Sequence, residues 1–313
     1  MRLLYFGTPD FAVPSLRALG ASAHTLVGVV SQPDRPRGRG RTIEDTPVKR
    51  AATELGVDVL QTESVGEESA LAWMRARSPE LGVVVAFGQF IPKSVRELPR
   101  LGLINGHASL LPRWRGAAPI EWAIDAGDAR TGISVMRVVR EMDAGDVCLS
   151  RETAIGPDET AGELTTRLAA LAAQALVAAV DELDSGRAVF VPQDAAGVTL
   201  APKLDRGFAK LDFSLPAERL LRRIRAATPR PGVDLELTRA AKRLRIVRAR
   251  LGPPHAGVAR PGALRVESGR LLLAAGDAWL ELAEIQLAGK RPMRADEVLR
   301  GFRVPDAEEA RTP

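Results

Sequence analysis

At 313 residues, 45% hydrophobic and 27% charged, the chain is long enough for two globular domains of roughly 100–200 residues each. Its one cysteine, Cys148, excludes intramolecular disulfides and stands in an apolar run that suits a buried, inert thiol. The net charge of +5 is uneven: from Arg206 onward 22 Lys and Arg face 13 Asp and Glu, a basic tail fit for a polyanion on a mildly acidic body.

Met1 to Phe6 reads as a strand cut off by Gly7-Thr8-Pro9-Asp10, so a cytosolic protein without a signal peptide is expected. No uninterrupted apolar run approaches the roughly 18 residues of a membrane span. Pro9-Asp10 opens a helix towards Leu19, and HTLVGVVS is the next strand. Pro47 starts a second helix, followed by the short strand VDVLQ, the amphipathic GEESALAWMRAR and the strand LGVVVAF. This βαβα rhythm predicts an open, mostly parallel sheet with helices on both faces and ligands beyond the carboxyl ends of its strands. LGLINGHASL supplies another strand, and TGISVMRVVREMDAGD a third apolar run that ends in a carboxylate loop. Residues 160–184 form a long Ala/Leu-rich core helix, residues 190–206 a linker rich in Pro, Gly and Asp. PAERLLRRIRAA predicts an amphipathic helix with its arginines mostly outward. Short strands follow, with turns expected at Gly252-Pro253, Ser268-Gly269 and Gly276-Asp277, and they suggest a small barrel.

Asn105 and His107 are two residues apart on one strand, so both side chains face one side of the sheet. An amide beside an imidazole at a strand end can hold a carbonyl oxygen while negative charge builds on it. Asp143, before a small-residue turn, is the carboxylate of the following loop. The same three residues also suit plainer roles, as a turn amide, a satisfied core imidazole and a turn carboxylate. Gly7 lacks the further glycines of a dinucleotide-binding turn, and no phosphate-binding P-loop is present. His24, His107 and His255 are too scattered for a metal site, and none is expected.

The segments GTPDFAVPSL, QPDRPRGRGR, AFG, NGHASLLPRWRGAAPI and MDAGD closely resemble those of the methionyl-tRNA formyltransferase family. The resemblance covers about the first two hundred residues, and a basic, strand-rich tail also fits it. One departure is Gly106, where the family pattern has Val; glycine packs nothing and is expected to loosen the strand slightly. The resemblance implies a Rossmann-like formyltransferase domain over residues 1–189, the linker, and an OB-like tRNA-binding barrel over residues 207–313. It implies transfer of the formyl group of 10-formyltetrahydrofolate to the α-amine of methionyl-initiator tRNA; apart from the resemblance, a monomer without metal or membrane is expected.

Under that resemblance Asn105 donates to the oxyanion, and His107 does the same or passes a proton towards the departing nitrogen. Asp143 raises the basicity of His107 or accepts protons from the amine through water. The folate is expected against the loop Phe87, Gly88, Gln89 and Phe90. Ser109, Leu110, Leu111 and Pro112 are expected to line the same cleft, with Met142 and Asp146 in the turn around Asp143. The loop arginines Arg35, Arg37, Arg39 and Arg41 are expected on the tRNA acceptor end. Arg222, Arg223, Arg225, Lys242, Arg243 and Arg245 are expected on its phosphates. Trp114 is expected to stack on a base or to anchor the loop. The competing readings are a formyltransferase acting on glycinamide ribonucleotide or an amino sugar nucleotide, a formyltetrahydrofolate hydrolase, and a non-catalytic RNA-binding protein.

Overall fold

The computed structural model describes residues 1–37, 42–255 and 259–313. Its internal contacts divide the chain into two units. The first comprises Met1–Pro119, Arg130–Ala154 and Thr165–Ala201; the second comprises Ile120–Ala129, Ile155–Leu164 and Pro202–Pro313. Residues 190–201, within the expected linker, therefore belong to the first unit.

The first unit carries strands β1 (Arg2–Gly7), β2 (Thr25–Ser31), β3 (Val59–Gln61), β4 (Leu81–Val85), β5 (Leu103–His107), β6 (Arg130–Arg137) and β7 (Val147–Ala154). They form one sheet in the order β3-β2-β1-β4-β5-β6-β7. The β1 to β5 pairings are parallel, as the βαβα rhythm predicts, and β6 and β7 add antiparallel. Leu3, Leu4, Tyr5, Phe6, Val29, Val30 and Val83 are fully buried, which is why these strands read as continuous apolar runs rather than alternating ones. Helices α1 (Val13–Gly20), α2 (Pro47–Glu54) and α3 (Glu68–Ala76) connect the parallel strands. The order reverses between β1 and β4, and there Thr8 Oγ1 donates to the Phe87 carbonyl at 3.0 Å. A Cβ on Gly7 would stand 2.9 Å from the Ala12 methyl, so the glycine serves the tight strand-to-helix turn.

Helix α4 (Pro119–Ala126) precedes β6, and α5 (Ala161–Asp184) follows β7. By length and composition α5 could cross a membrane, but its apolar stretch is interrupted by polar residues and half of its most apolar window is buried inside the protein, as the core-helix reading expects. Leu164, Leu168, Ala172, Leu176, Ala179 and Val180 form that buried face.

The second unit holds helix α6 (Ala217–Ala227) and strands β8 (Val233–Leu237), β9 (Lys242–Pro254), β10 (Ala263–Glu267), β11 (Arg270–Ala274), β12 (Ala278–Leu287) and β13 (Glu308–Arg311). Among the described residues these six strands close into an antiparallel ring, β9-β8-β13-β10-β11-β12 and back to β9. Turns occur at Ser268-Gly269 and Gly276-Asp277, but Gly252-Pro253 is no turn, since β9 runs through it to Pro254. The glycine is needed because β12 passes close: a Cβ at Gly252 would lie 2.8 Å from the Trp279 carbonyl oxygen.

Candidate active site

The period of two along β5 separates its faces as the spacing predicts. Gly106 packs on one side, and Asn105, half-buried, shares the other with His107, 6% exposed. His107 Nε2 lies 2.9 Å from the Trp114 carbonyl oxygen, which only accepts, so Nε2 carries the hydrogen there. His107 Nδ1, which bears the lone pair of the neutral ring, therefore faces Asp143 Oδ2 at 3.6 Å. The Asp143 carboxylate is fixed in turn by the Gly116 N–H, which donates to Oδ2 at 2.9 Å. Among the described residues the Asn105 carboxamide has no hydrogen-bond partner and stays available to a ligand.

Asp143 does not arrive by a shared carboxyl edge, as the sequence suggests. That edge exists only for parallel strands, and β6 runs antiparallel to β5, pairing Arg137 with Ile104 and Ser134 with His107. The turn after β6 instead folds back: Arg137 N donates to the Asp146 carbonyl at 2.9 Å, and a Cβ on Gly145 would stand 2.0 Å from the Arg137 carbonyl oxygen. Asp143 itself has a φ of 51°, in the left-handed region that few non-glycine residues occupy.

The loop after β5 is built around buried Ser109, whose Oγ donates to the Arg113 carbonyl at 2.6 Å while its own carbonyl accepts from Ser134 Oγ at 2.8 Å. Its hydroxyl is therefore committed inside the loop rather than to a ligand. The Trp114 backbone N–H donates to Thr199 Oγ1 at 2.9 Å, and Arg113 covers its half-buried ring at 4.3 Å. Leu110, Leu111 and Pro112 are half-buried.

The loop after β4 divides in the same way. Phe87 is 2% exposed, edge-on to Phe6 in the core, so its side chain cannot line a cleft; its carbonyl accepts from Thr8 and from Gln32 Nε2. Gln89 holds the loop in place through the Thr62 carbonyl and the Val65 N–H. Gly88 has a φ of 80°, and a Cβ there would meet Gln32 Nε2 at 2.5 Å. Phe90 and Met142, 71% and 72% exposed, are the apolar side chains of the set that remain open to a planar ring. Asp146 is half-buried. The Cys148 thiol is pushed up to about 11 by burial, which removes it as a nucleophile.

Two residues of this site lie where the sequence reads as linker. Gln193 Nε2 donates to the carbonyls of Asp143 and Gly145, each at 2.8 Å. Thr199 holds the Trp114 and Arg115 backbone. Only the Pro/Gly-rich composition marked the segment, and composition carries no signal of either contact.

Residues 1–180 match the model of the formyl transferase family, and residues 203–303 that of the formyl transferase C-terminal domain. A methionyl-tRNA formyltransferase of Parvibaculum lavamentivorans is 42% identical over 310 residues, 98% of this chain and 99% of its own. The chain belongs to the methionyl-tRNA formyltransferase family. Two solved structures share the fold at low identity. WlaRD, a sugar 3N-formyl transferase in the presence of dTDP and 5-N-formyl-THF, aligns with a TM-score of 0.66 and 14% identity over 93% of this chain and 99% of its own. HypX from Aquifex aeolicus in complex with tetrahydrofolic acid aligns at 0.63 and 16% over 96% of this chain and 47% of its own, so the chain spans about half of that protein.

Gly106, the departure from the methionyl-tRNA formyltransferase pattern, does not leave the strand loose. A Cβ there would lie 3.0 Å from Leu176 Cδ1, so α5 fills the space a side chain would take.

The basic residues expected to meet tRNA in this methionyl-tRNA formyltransferase family member have divergent surroundings. Arg35 is exposed and pairs with Glu63 at 3.2 Å. It lies on the short strand Arg35–Arg37, which pairs with Thr42–Glu44 and includes the backbone of Arg37; Arg39 and Arg41 lie outside the described residues. On α6 the arginines are not mostly outward. Arg223 donates to both carboxylate oxygens of Asp125, at 2.5 and 2.9 Å, and Arg219 adds a third such bond at 2.8 Å. Burial alone would raise the Asp125 carboxyl, but the guanidiniums of Arg223 and Arg219 outweigh it and hold the group below the usual carboxylate range. Arg225 donates to the carbonyls of Glu159 and Gly156, and Arg222 lies against Gly127. Arg243 and Arg245 pair across the sheet with Glu236 and Asp234, whereas exposed Lys242 has no acidic partner among the described residues. Helix arginines turned inward are predictable only once the buried partner, 98 residues away from Arg223, is known.

Proposed function

We propose that this protein transfers the formyl group of 10-formyltetrahydrofolate to the α-amino group of methionyl-initiator tRNA, acting in the cytoplasm as a monomer. The observation that carries the reading is similarity to a methionyl-tRNA formyltransferase along nearly the whole of both chains. The residues at the end of β5 suit that chemistry. As the amine nitrogen bonds to the formyl carbon, charge builds on the formyl oxygen, and the unpartnered Asn105 amide is a donor for it. The bond from that carbon to the donor nitrogen then breaks, so one proton must leave the attacking amine and one must reach the departing nitrogen. His107 moves a proton through Nδ1, because Nε2 is held by Trp114. Asp143, 3.6 Å away, pairs by charge with a protonated Nδ1 and orients the ring.

The folate fits the loops around Phe90, Leu110, Leu111, Pro112 and Met142, with Phe87 and Gly88 contributing backbone. For the tRNA, Arg35, Arg37, Arg39, Arg41 and Lys242 are the basic groups best suited to phosphates. Arg222, Arg223, Arg225, Arg243 and Arg245 act mainly within the protein.

The test is formyl transfer to Met-charged initiator tRNA beside uncharged tRNA, glycinamide ribonucleotide, an amino sugar nucleotide and water. Rapid transfer to charged tRNA alone is expected. Transfer to another amine, or release of formate, would overturn the acceptor while keeping the site. No turnover with any acceptor would favour an RNA-binding role.

A further inference from the structure

We infer that Gln193 is a positioning residue for Asp143, so that the catalytic set depends on a fourth side chain from the segment after α5. The inference rests on the reading of Asp143 given above.

The Gln193 amide has four hydrogen-bonding positions, and all four are used. Its two N–H bonds go to the carbonyls of Asp143 and Gly145, both at 2.8 Å. Its oxygen accepts from Arg115 Nε at 3.0 Å and Nη2 at 2.7 Å. The residues at either end of this chain of bonds are those that hold the site. Gly116, next to Arg115, donates to the Asp143 carboxylate, and Trp114, on its other side, accepts from His107. Gln193 thus ties the turn carrying Asp143 to the loop holding His107, closing a ring in which neither can shift alone.

The segment bearing Gln193 is itself fixed. Val191 exchanges both backbone hydrogen bonds with Val147, each at 2.9 Å, and Leu200–Ala201 pairs with Arg115–Gly116. Asp143 needs such support because its backbone is left-handed, a conformation of higher energy for a residue with a side chain. No other residue type serves here equally well. Glutamate would set an oxygen against two carbonyl oxygens, asparagine is one methylene short, and methionine matches the length but offers none of the four bonds.

The experiment compares Gln193→Met in the wild-type and Asp143→Asn backgrounds, with formyl transfer to Met-charged initiator tRNA as readout. In the wild-type background kcat should fall about tenfold to a hundredfold, since a misplacement near 1 Å has that scale, with both KM values within about twofold. In the Asp143→Asn background the same change should cost clearly less, because the main group it positions is already lost. An equal loss in both backgrounds, or a wild-type rate for Gln193→Met, would overturn the inference and leave the role of Asp143 standing. A wild-type rate for Asp143→Asn would overturn that role, and this inference with it. Should Gln193→Met fail to fold, Arg115→Met removes the grip on the amide oxygen from the other side and is expected to show the same background dependence.

Discussion

Replacing Asp125 with Asn should destabilise the second unit by about 2–4 kcal/mol. The side chain of Asp125 is 2% exposed, and it accepts three charge-assisted bonds from Arg219 and Arg223. Breaking a buried ion pair by removing one partner costs about 3–5 kcal/mol. Here the stranded guanidiniums are 33% and 21% exposed and recover some hydration, which lowers the figure. For a unit of this size that is a fall in Tm of roughly 6–15 °C. Urea unfolding followed by tryptophan fluorescence suits the measurement, since Trp122 lies in the same unit against Phe208. The pH dependence sharpens it. Because the folded carboxyl is held low, its contribution is fully present above the unfolded pKa of about 3.9 and is lost as pH falls through the folded value. The gap between wild type and Asp125→Asn should be flat from about pH 6 to 8 and narrow below about pH 4. A variant with unchanged stability at pH 7, or a gap that widens in acid, would refute the reasoning.

Asn105→Ala should lower kcat by about a hundredfold or more, the scale of losing an oxyanion donor, and Asp143→Ala by about a hundredfold or more, the scale of impaired general acid–base catalysis through His107; near-normal rates in folded variants would remove the roles assigned. Affinity for tRNA should fall steeply with salt, and Lys242→Ala should reduce the log–log salt slope by about 0.7–0.9, the loss of one phosphate contact, while Arg243→Ala leaves it unchanged. A flat salt response would count against a phosphate-binding surface. With burial pushing its thiol up to about 11, Cys148 should react with thiol reagents at pH 8 about tenfold or more slower than a free cysteine, and Cys148→Ser should keep full activity in the transfer assay.

Much of the first unit could be read from residue order, because buried parallel strands leave unbroken apolar runs such as LLYF and LGVVV, and a period of two exposed the Asn105 and His107 pair. The direction of β6 could not be read, since α4 between β5 and β6 suits a parallel crossover equally well and only pairing decides. Charge counts gave the tail its sign but not its partners, as Asp125 shows by engaging Arg219 and Arg223, the latter among the residues expected on tRNA. Gln193 was hidden for a similar reason: a polar residue in a Pro/Gly-rich stretch resembles any surface linker until its acceptors are located.

Gly106 and Leu176 occupy a single volume between β5 and α5, one residue giving up what the other takes. The two positions are therefore coupled: a side chain added on the strand makes Leu176 shift or shrink, and a smaller residue on the helix alone leaves a hole behind the strand that bears His107. The strand bearing the proton-moving imidazole is thus tuned from its far face, and an engineer changing the helix would be adjusting the active site without touching it.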